Sequence, residues 1–373
     1  MIEGTKDNKM TCKPGVYLFG AGGAATWVLA GFERAGIPVL GFIDEAANPP
    51  FKVCGIPVYS PADTRVSGAK RKKAALIVSV MNPVADLDGI MERMSHKGWC
   101  NVYSYSEFGK TLLIQNGMHC GILDPVPLKK HGRDLAQVRK ILSDEHSKEL
   151  LDGFVKYVKT FDESGLSAVT PQPYFTDTLP RWTEPLRLVD CGAFDGDTLR
   201  AAQDSGYKIQ AVRAFEPDPI NYSKLLHEIK LGINSEAWPC GVSDKTGVLR
   251  FSSQGDTGSA LSDEGDMIVQ CVALDDAIPS FSPTLVKMDI EGAEEAALEG
   301  AENLLRTYSP ELAISVYHRP EDIWRIPLWL YKIWGKDARY YLRRHSRGVA
   351  DTLLYVFPRK TARKSRLPRS LRA

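Results

Sequence analysis

The sequence predicts an α/β protein of two doubly wound units joined by a helical connector. Three observations carry that expectation. Strand-like apolar runs alternate with helical stretches in two separate regions, each region holds a glycine-rich strand-to-helix loop, and the segment between them keeps helical spacing without strand signal. At 373 residues the chain has the length of two domains.

In the first region, residues 16–19 read as a strand, 24–35 as a helix, 38–43 and 74–80 as strands, 83–96 as a helix and 101–105 as a short strand. Residues 1–112 are thus a Rossmann-like unit. Prolines and glycines over 121–132 then read as a linker. Beyond it Leu135, Val138, Leu142, Leu150, Leu151, Phe154 and Val158 recur at helical spacing around a cap at Ser143 and Asp144. Residues 113–173 read as a helical connector that packs on the second unit, or as a plain spacer. That unit, 174–358, has strands at 186–190, 211–216, 237–242, 269–274, 285–290 and 312–316, and a last hairpin pairing 339–343 with 352–357. An open parallel sheet finished by such a hairpin fits a class I methyltransferase sheet better than a dehydrogenase sheet. Residues 359–373 carry seven basic side chains and no acid, and read as a disordered basic tail.

Composition excludes several classes of function. With 47 basic and 46 acidic side chains the formal net charge is +1, so no global field recruits nucleic acid. The longest run of apolar and small residues, 17–32, holds four glycines and falls short of the roughly 20 residues a membrane span needs. The polar first fourteen residues lack the apolar segment of a secretory signal. Seven cysteines, odd in number and never CxxC, read as reduced, mostly buried thiols of a cytoplasmic protein. Nothing specifies an oligomeric state.

The two glycine loops differ in charge. The first runs Phe19-Gly20-Ala21-Gly22-Gly23-Ala24 without an acid, and Asp44 follows at the end of the next strand, where a ribose would be read. Gly20, Gly22, Gly23 and Asp44 are therefore candidates for holding a dinucleotide or a nucleotide-sugar, although glycines at such a turn also serve packing. The second loop, Asp190-Cys191-Gly192-Ala193-Phe194-Asp195-Gly196-Asp197-Thr198, holds three carboxylates and no lysine. A phosphate there would be repelled, whereas the sulfonium and ammonium of S-adenosylmethionine suit it. Twenty residues past Gly196, Glu216 ends a strand, placed to accept from both ribose hydroxyls.

Further candidates end later strands, where open α/β sheets place their ligands. Ser243 and Asp244 are candidates for the adenine pocket, or for a plain turn. Asp289 ends one strand, with Glu291 and Glu294 in position to favour the next helix's amino terminus. His318 ends another and is a candidate general base for an attacking hydroxyl. Asp289, Glu291 and His318 could instead gather a divalent cation, but no spacing specifies a metal site. Tyr174, Phe175, Trp324 and Trp329 are candidates for the acceptor wall, or for core.

At five segments in family order the sequence resembles the FkbM family of S-adenosylmethionine-dependent methyltransferases. These are Val189 to Leu199, Ala214-Phe215-Glu216-Pro217-Asp218, Leu274-Asp275-Asp276, Lys287 to Glu294, and Ile314 to His318. The resemblance implies methyl transfer to an oxygen, commonly a hydroxyl of a sugar, glycan or polyketide-like product. It places Asp190, Gly192, Asp195, Gly196, Thr198 and Glu216 at the cofactor and Asp289 with His318 at the substrate rim. The first unit resembles the small domains attached to bacterial polysaccharide and nucleotide-sugar enzymes. Alternatives are an NAD(P)- or nucleotide-sugar-dependent enzyme acting through the first loop, and a non-catalytic scaffold that binds S-adenosylmethionine.

Overall fold

A computed structural model describes residues 15–46, 51–229, 234–252, 260–261 and 267–359. The expected basic tail lies outside the described residues from 360 onward, as does the amino-terminal stretch 1–14.

The first sheet contains β1 (Val16–Phe19), β2 (Val39–Ile43), β3 (Phe51–Val53), β4 (Ile56–Tyr59), β5 (Ala75–Val78) and β6 (Asn101–Ser104), in the spatial order β3-β4-β2-β1-β5-β6. All pairings are parallel except β3 with β4. That hairpin was not expected from the sequence. Its strands are only three and four residues long, and its turn uses Cys54 and Gly55 at φ 47° and 77° instead of the usual Asn-Gly. The buried central strands read as continuous apolar runs because helices cover both faces. Residue 112, the expected end of the first unit, falls inside the helix Tyr105–Asn116.

The connector corrects the expected linker. Pro125 opens a helix, Pro125–Lys130, under an Asp124 cap, because proline is tolerated in a first turn, where its missing N–H is not needed. Helices Gly132–Ile141 and Glu145–Thr160 follow, the second capped by Asp144, whose carboxylate accepts from Ser147 N at 2.9 Å. Their apolar faces share one core with the second sheet, from Val138 and Phe154 to Ile314 and Tyr340. Cys120 and Phe161, just outside these helices, pack into the core of the first.

The second region contains β7 (Leu186–Cys191), β8 (Ile209–Phe215), β9 (Asn234–Trp238), β10 (Gly241–Val242), β11 (Gly247–Ser252), β12 (Ala260–Leu261), β13 (Met267–Val272), β14 (Leu285–Met288), β15 (Glu311–Ser315), β16 (Ala338–Arg344) and β17 (Thr352–Pro358). The main sheet has the order β16-β17-β15-β14-β7-β8-β9, with only β17 antiparallel to its neighbours. This is the expected parallel sheet with a closing hairpin. The expected strand over 237–242 is broken after Trp238, and β10 joins β11, β12 and β13 in a separate sheet.

No disulfide joins the described cysteines; Cys120, Cys191, Cys240 and Cys271 are buried, while Cys54 and Cys100 are exposed. No helix among the described residues is long and apolar enough to cross a membrane.

Candidate active site between the two sheets

Ligands of open parallel sheets sit beyond the carboxyl ends of the strands, where strand order reverses. That point lies between β1 and β5 in the first sheet and between β7 and β14 in the second. Both crevices open on one cleft of about 1050 Å³. Gly20, Gly22 and Asn82 line one wall, and Tyr174, Asp197, Asp289 and Glu291 the other. The turn between β16 and β17 bolts the walls together. Arg347 donates its backbone N–H to Met81 O, and its guanidinium donates to Asn82 O, Pro83 O and Ala85 O at 2.8–3.1 Å.

The loop after β7 is shaped by glycine. Gly192 has φ +75°, and a Cβ there would lie 2.0 Å from the Asp289 carbonyl oxygen, so the two switch-point loops touch only because this residue has no side chain. Ala193 and Thr198 are buried beneath the loop. Two of its three carboxylates are already paired, which corrects the expected charge. Asp190 meets Lys287 Nζ at 3.1 Å, because Lys287 is its register partner on β14. Burial lifts Asp190 to about 6, while Lys287, despite its own burial, is held above its usual range by Asp190, Asp289 and Asp197. Asp195 pairs with Arg200 at 2.6 Å. Asp197 is left facing the cleft.

Glu216 is buried at the end of β8 and accepts from Phe194 N and Asp218 N, both at 2.8 Å. Burial lifts its carboxyl to about 7 against those donors. Ser243 and Asp244 bond each other at 3.1 Å beside β10 and, like Gly192, Gly196 and Glu216, are not among the residues lining the cleft. Chemically the set fits a cationic, phosphate-free donor: a glycine cradle, a carboxylate for a diol, and one unneutralised acid.

The rim is one connected cluster. Asp289 accepts from Tyr174 Oη and Ser315 Oγ, each at 2.8 Å, and lies 3.3 Å from His318 Nε2. Glu294 is not only a helix-end charge: it accepts from Ile290 N at 2.9 Å and meets His318 Nδ1 at 2.7 Å. Burial alone would lower the His318 pKa, yet Glu294, Glu291 and Asp289 outweigh it and push it up to about 10. Burial likewise favours a neutral Asp289, but the His318 and Lys287 cations and its two hydroxyl donors hold its pKa below the usual value.

Of the four aromatics expected at the acceptor wall, only Tyr174 lines the cleft. Phe175 and Trp324 are core, Trp324 stacking on His131 of the connector at 4.8 Å, and Trp329 packs against the same core. Trp27, which the sequence did not single out, reaches across from the first helix to stack on His318 at 5.3 Å. Its only sequence signal was a large aromatic one turn past the glycine loop.

In the first loop, the Asp44 carboxylate is engaged by Ala21 N and Ala46 N, both at 2.8 Å, which ties it to its own loop. Asp44, Asp197, Asp289, Glu291 and Asp351 line the cleft, and no lysine or arginine among the described residues does. A nucleotide-sugar diphosphate would meet that acidic wall without a counter-charge.

Residues 190–346 match the family model described as the methyltransferase FkbM domain. No curated protein matches the chain. A crystal structure of the methyltransferase FkbM from Methylobacillus flagellatus KT at 2.20 Å resolution has the same fold, with a TM-score of 0.64 and 20% identity over 92% of this chain and 89% of that one. The loops after β7 and β14, and most of the second sheet, thus lie within the residues that match the FkbM methyltransferase domain.

Proposed function

We propose that the protein is an S-adenosylmethionine-dependent O-methyltransferase whose acceptor is a hydroxyl of an uncharged polyol, a sugar or glycan, bound in the cleft between the sheets. The observation that supports this most is the meeting of the Gly192 loop and the Asp289 cluster at one edge of a cleft walled by acids. When bound, the cofactor supplies a methyl group on a sulfonium. Gly192 and Gly196 let the backbone approach it, Glu216 receives its ribose, Asp197 offers the opposing charge, and Ser243 and Asp244 flank its adenine.

Asp289 receives the acceptor. Its two oxygens are fixed by Tyr174, Ser315 and His318, so a hydroxyl donating to it is held in one orientation for in-line attack. Asp289 would take the hydroxyl proton as the acceptor oxygen is methylated and release it through the cleft. His318 carries its own proton at neutral pH, so the base role expected of it passes to Asp289, which it keeps ionised.

Calorimetric titration with S-adenosylhomocysteine tests the donor half: the wild type binds and Glu216→Ala loses at least tenfold in affinity. Transfer of labelled methyl to polyols tests the acceptor half, with Asp289→Asn losing about 10²–10⁴ in rate. Binding of NAD or a UDP-sugar with no S-adenosylhomocysteine binding would overturn the reading.

A further inference from the structure

The His318 side chain is wholly buried, and its two nitrogens are placed differently. Nδ1 is 2.7 Å from Glu294 Oε1, a carboxylate itself anchored by Ile290 N. Nε2 makes no hydrogen bond among the described residues and lies 3.3 Å from Asp289 Oδ1 and 3.7 Å from Glu291 Oε2. The second oxygen of Glu294 is also buried without a hydrogen bond. One donor atom from each of Asp289, Glu294 and His318 falls within 4.8 Å of the others.

We propose that His318 Nε2, Asp289 Oδ1 and Glu291 Oε2 form a divalent metal site at the inner end of the cleft, with Glu294 as the outer carboxylate that fixes the imidazole. Ligand atoms about 2.0–2.2 Å from one ion stand a little over 3 Å apart, the spacing of Nε2 and Asp289 Oδ1. A carboxylate on the far ring nitrogen is the arrangement that orients metal-bound histidines. One nitrogen and two carboxylate oxygens suit manganese, iron, cobalt or zinc better than calcium or magnesium. Asp289 and Glu291 both line the cleft, so the remaining coordination positions face the acceptor space. The acidic wall without lysine or arginine attracts a cation there. On binding, Nε2 gives up its proton to solvent and the metal takes the lone pair, so that the ion, in place of the imidazolium, keeps Asp289 ionised.

The full-length protein, stripped with a chelator and assayed without any methyl donor, tests this independently of the proposed activity. Mn²⁺ titration followed by electron spin resonance, and Co²⁺ titration followed by visible absorption, are expected to show one ion per chain. His318→Gln and Glu291→Gln are expected to weaken binding at least a hundredfold, Glu294→Gln about 10–100-fold, and the remote Asp63→Asn not at all. Should His318→Gln fail to fold, Glu291→Gln on the cleft wall, its fold checked by circular dichroism, carries the test. The absence of stoichiometric binding at millimolar metal, or binding that Glu291→Gln and Glu294→Gln leave unchanged, overturns the site.

Discussion

Glu216 sits where burial and two backbone amides pull its proton in opposite directions, and burial prevails, leaving it half ionised at about pH 7. A carboxylate that receives a ribose diol works best ionised. Raised above its ordinary value, it ionises only as pH climbs through about 7, so S-adenosylhomocysteine affinity is expected to rise across that range. Glu216→Gln should bind more weakly with a flat profile; a wild-type profile equally flat would remove Glu216 from the ribose. Sequence spacing placed Glu216 correctly at a strand end, because parallel sheets put every strand's carboxyl end on one rim. It did not reveal that Lys287 neutralises Asp190, since that contact depends on the register of β7 with β14, 97 positions apart (287 minus 190). Nor did it place Trp27 on His318, a contact between separate sheets.

Among the elements, the loops after β1 and β7 look alike in sequence but answer differently to a methyl group. Gly192 has a left-handed backbone and a carbonyl 2.0 Å from where a Cβ would stand. Gly192→Ala is expected to destabilise the fold by about 2–5 kcal/mol, from backbone strain and overpacking together. At Gly22 φ is ordinary and nothing lies within 4 Å, so Gly22→Ala should stay within about 0.5 kcal/mol. Denaturant unfolding of the two variants checks the pair, and equal losses would contradict it. The central strands β1, β5, β7 and β14 were legible as apolar runs because they are buried on both faces. The helix Pro125–Lys130 and the hairpin β3–β4 were not, since proline and a Cys-Gly turn carry signals that only backbone geometry resolves.

For the whole molecule, Arg347 and the four carbonyls it joins tie one cleft wall to the other. Arg347→Ala is expected to speed amide exchange about tenfold or more in 79–85 and 345–351 while leaving β7 and β14 unchanged. Unchanged exchange in both segments would mean the walls are held by something else. Two α/β units were legible in the sequence, but their facing arrangement was not, because the contacts that fix it join distant segments through single side chains. The same bolt sets an order of events at the ribosome. Arg347 leaves 265 residues after Asn82, about 13–50 s later at about 5–20 residues per second. The first sheet is therefore synthesised long before the residue that ties it to the opposite wall. A nascent chain stalled before the last hairpin would carry both glycine loops yet lack every Arg347 contact between the walls.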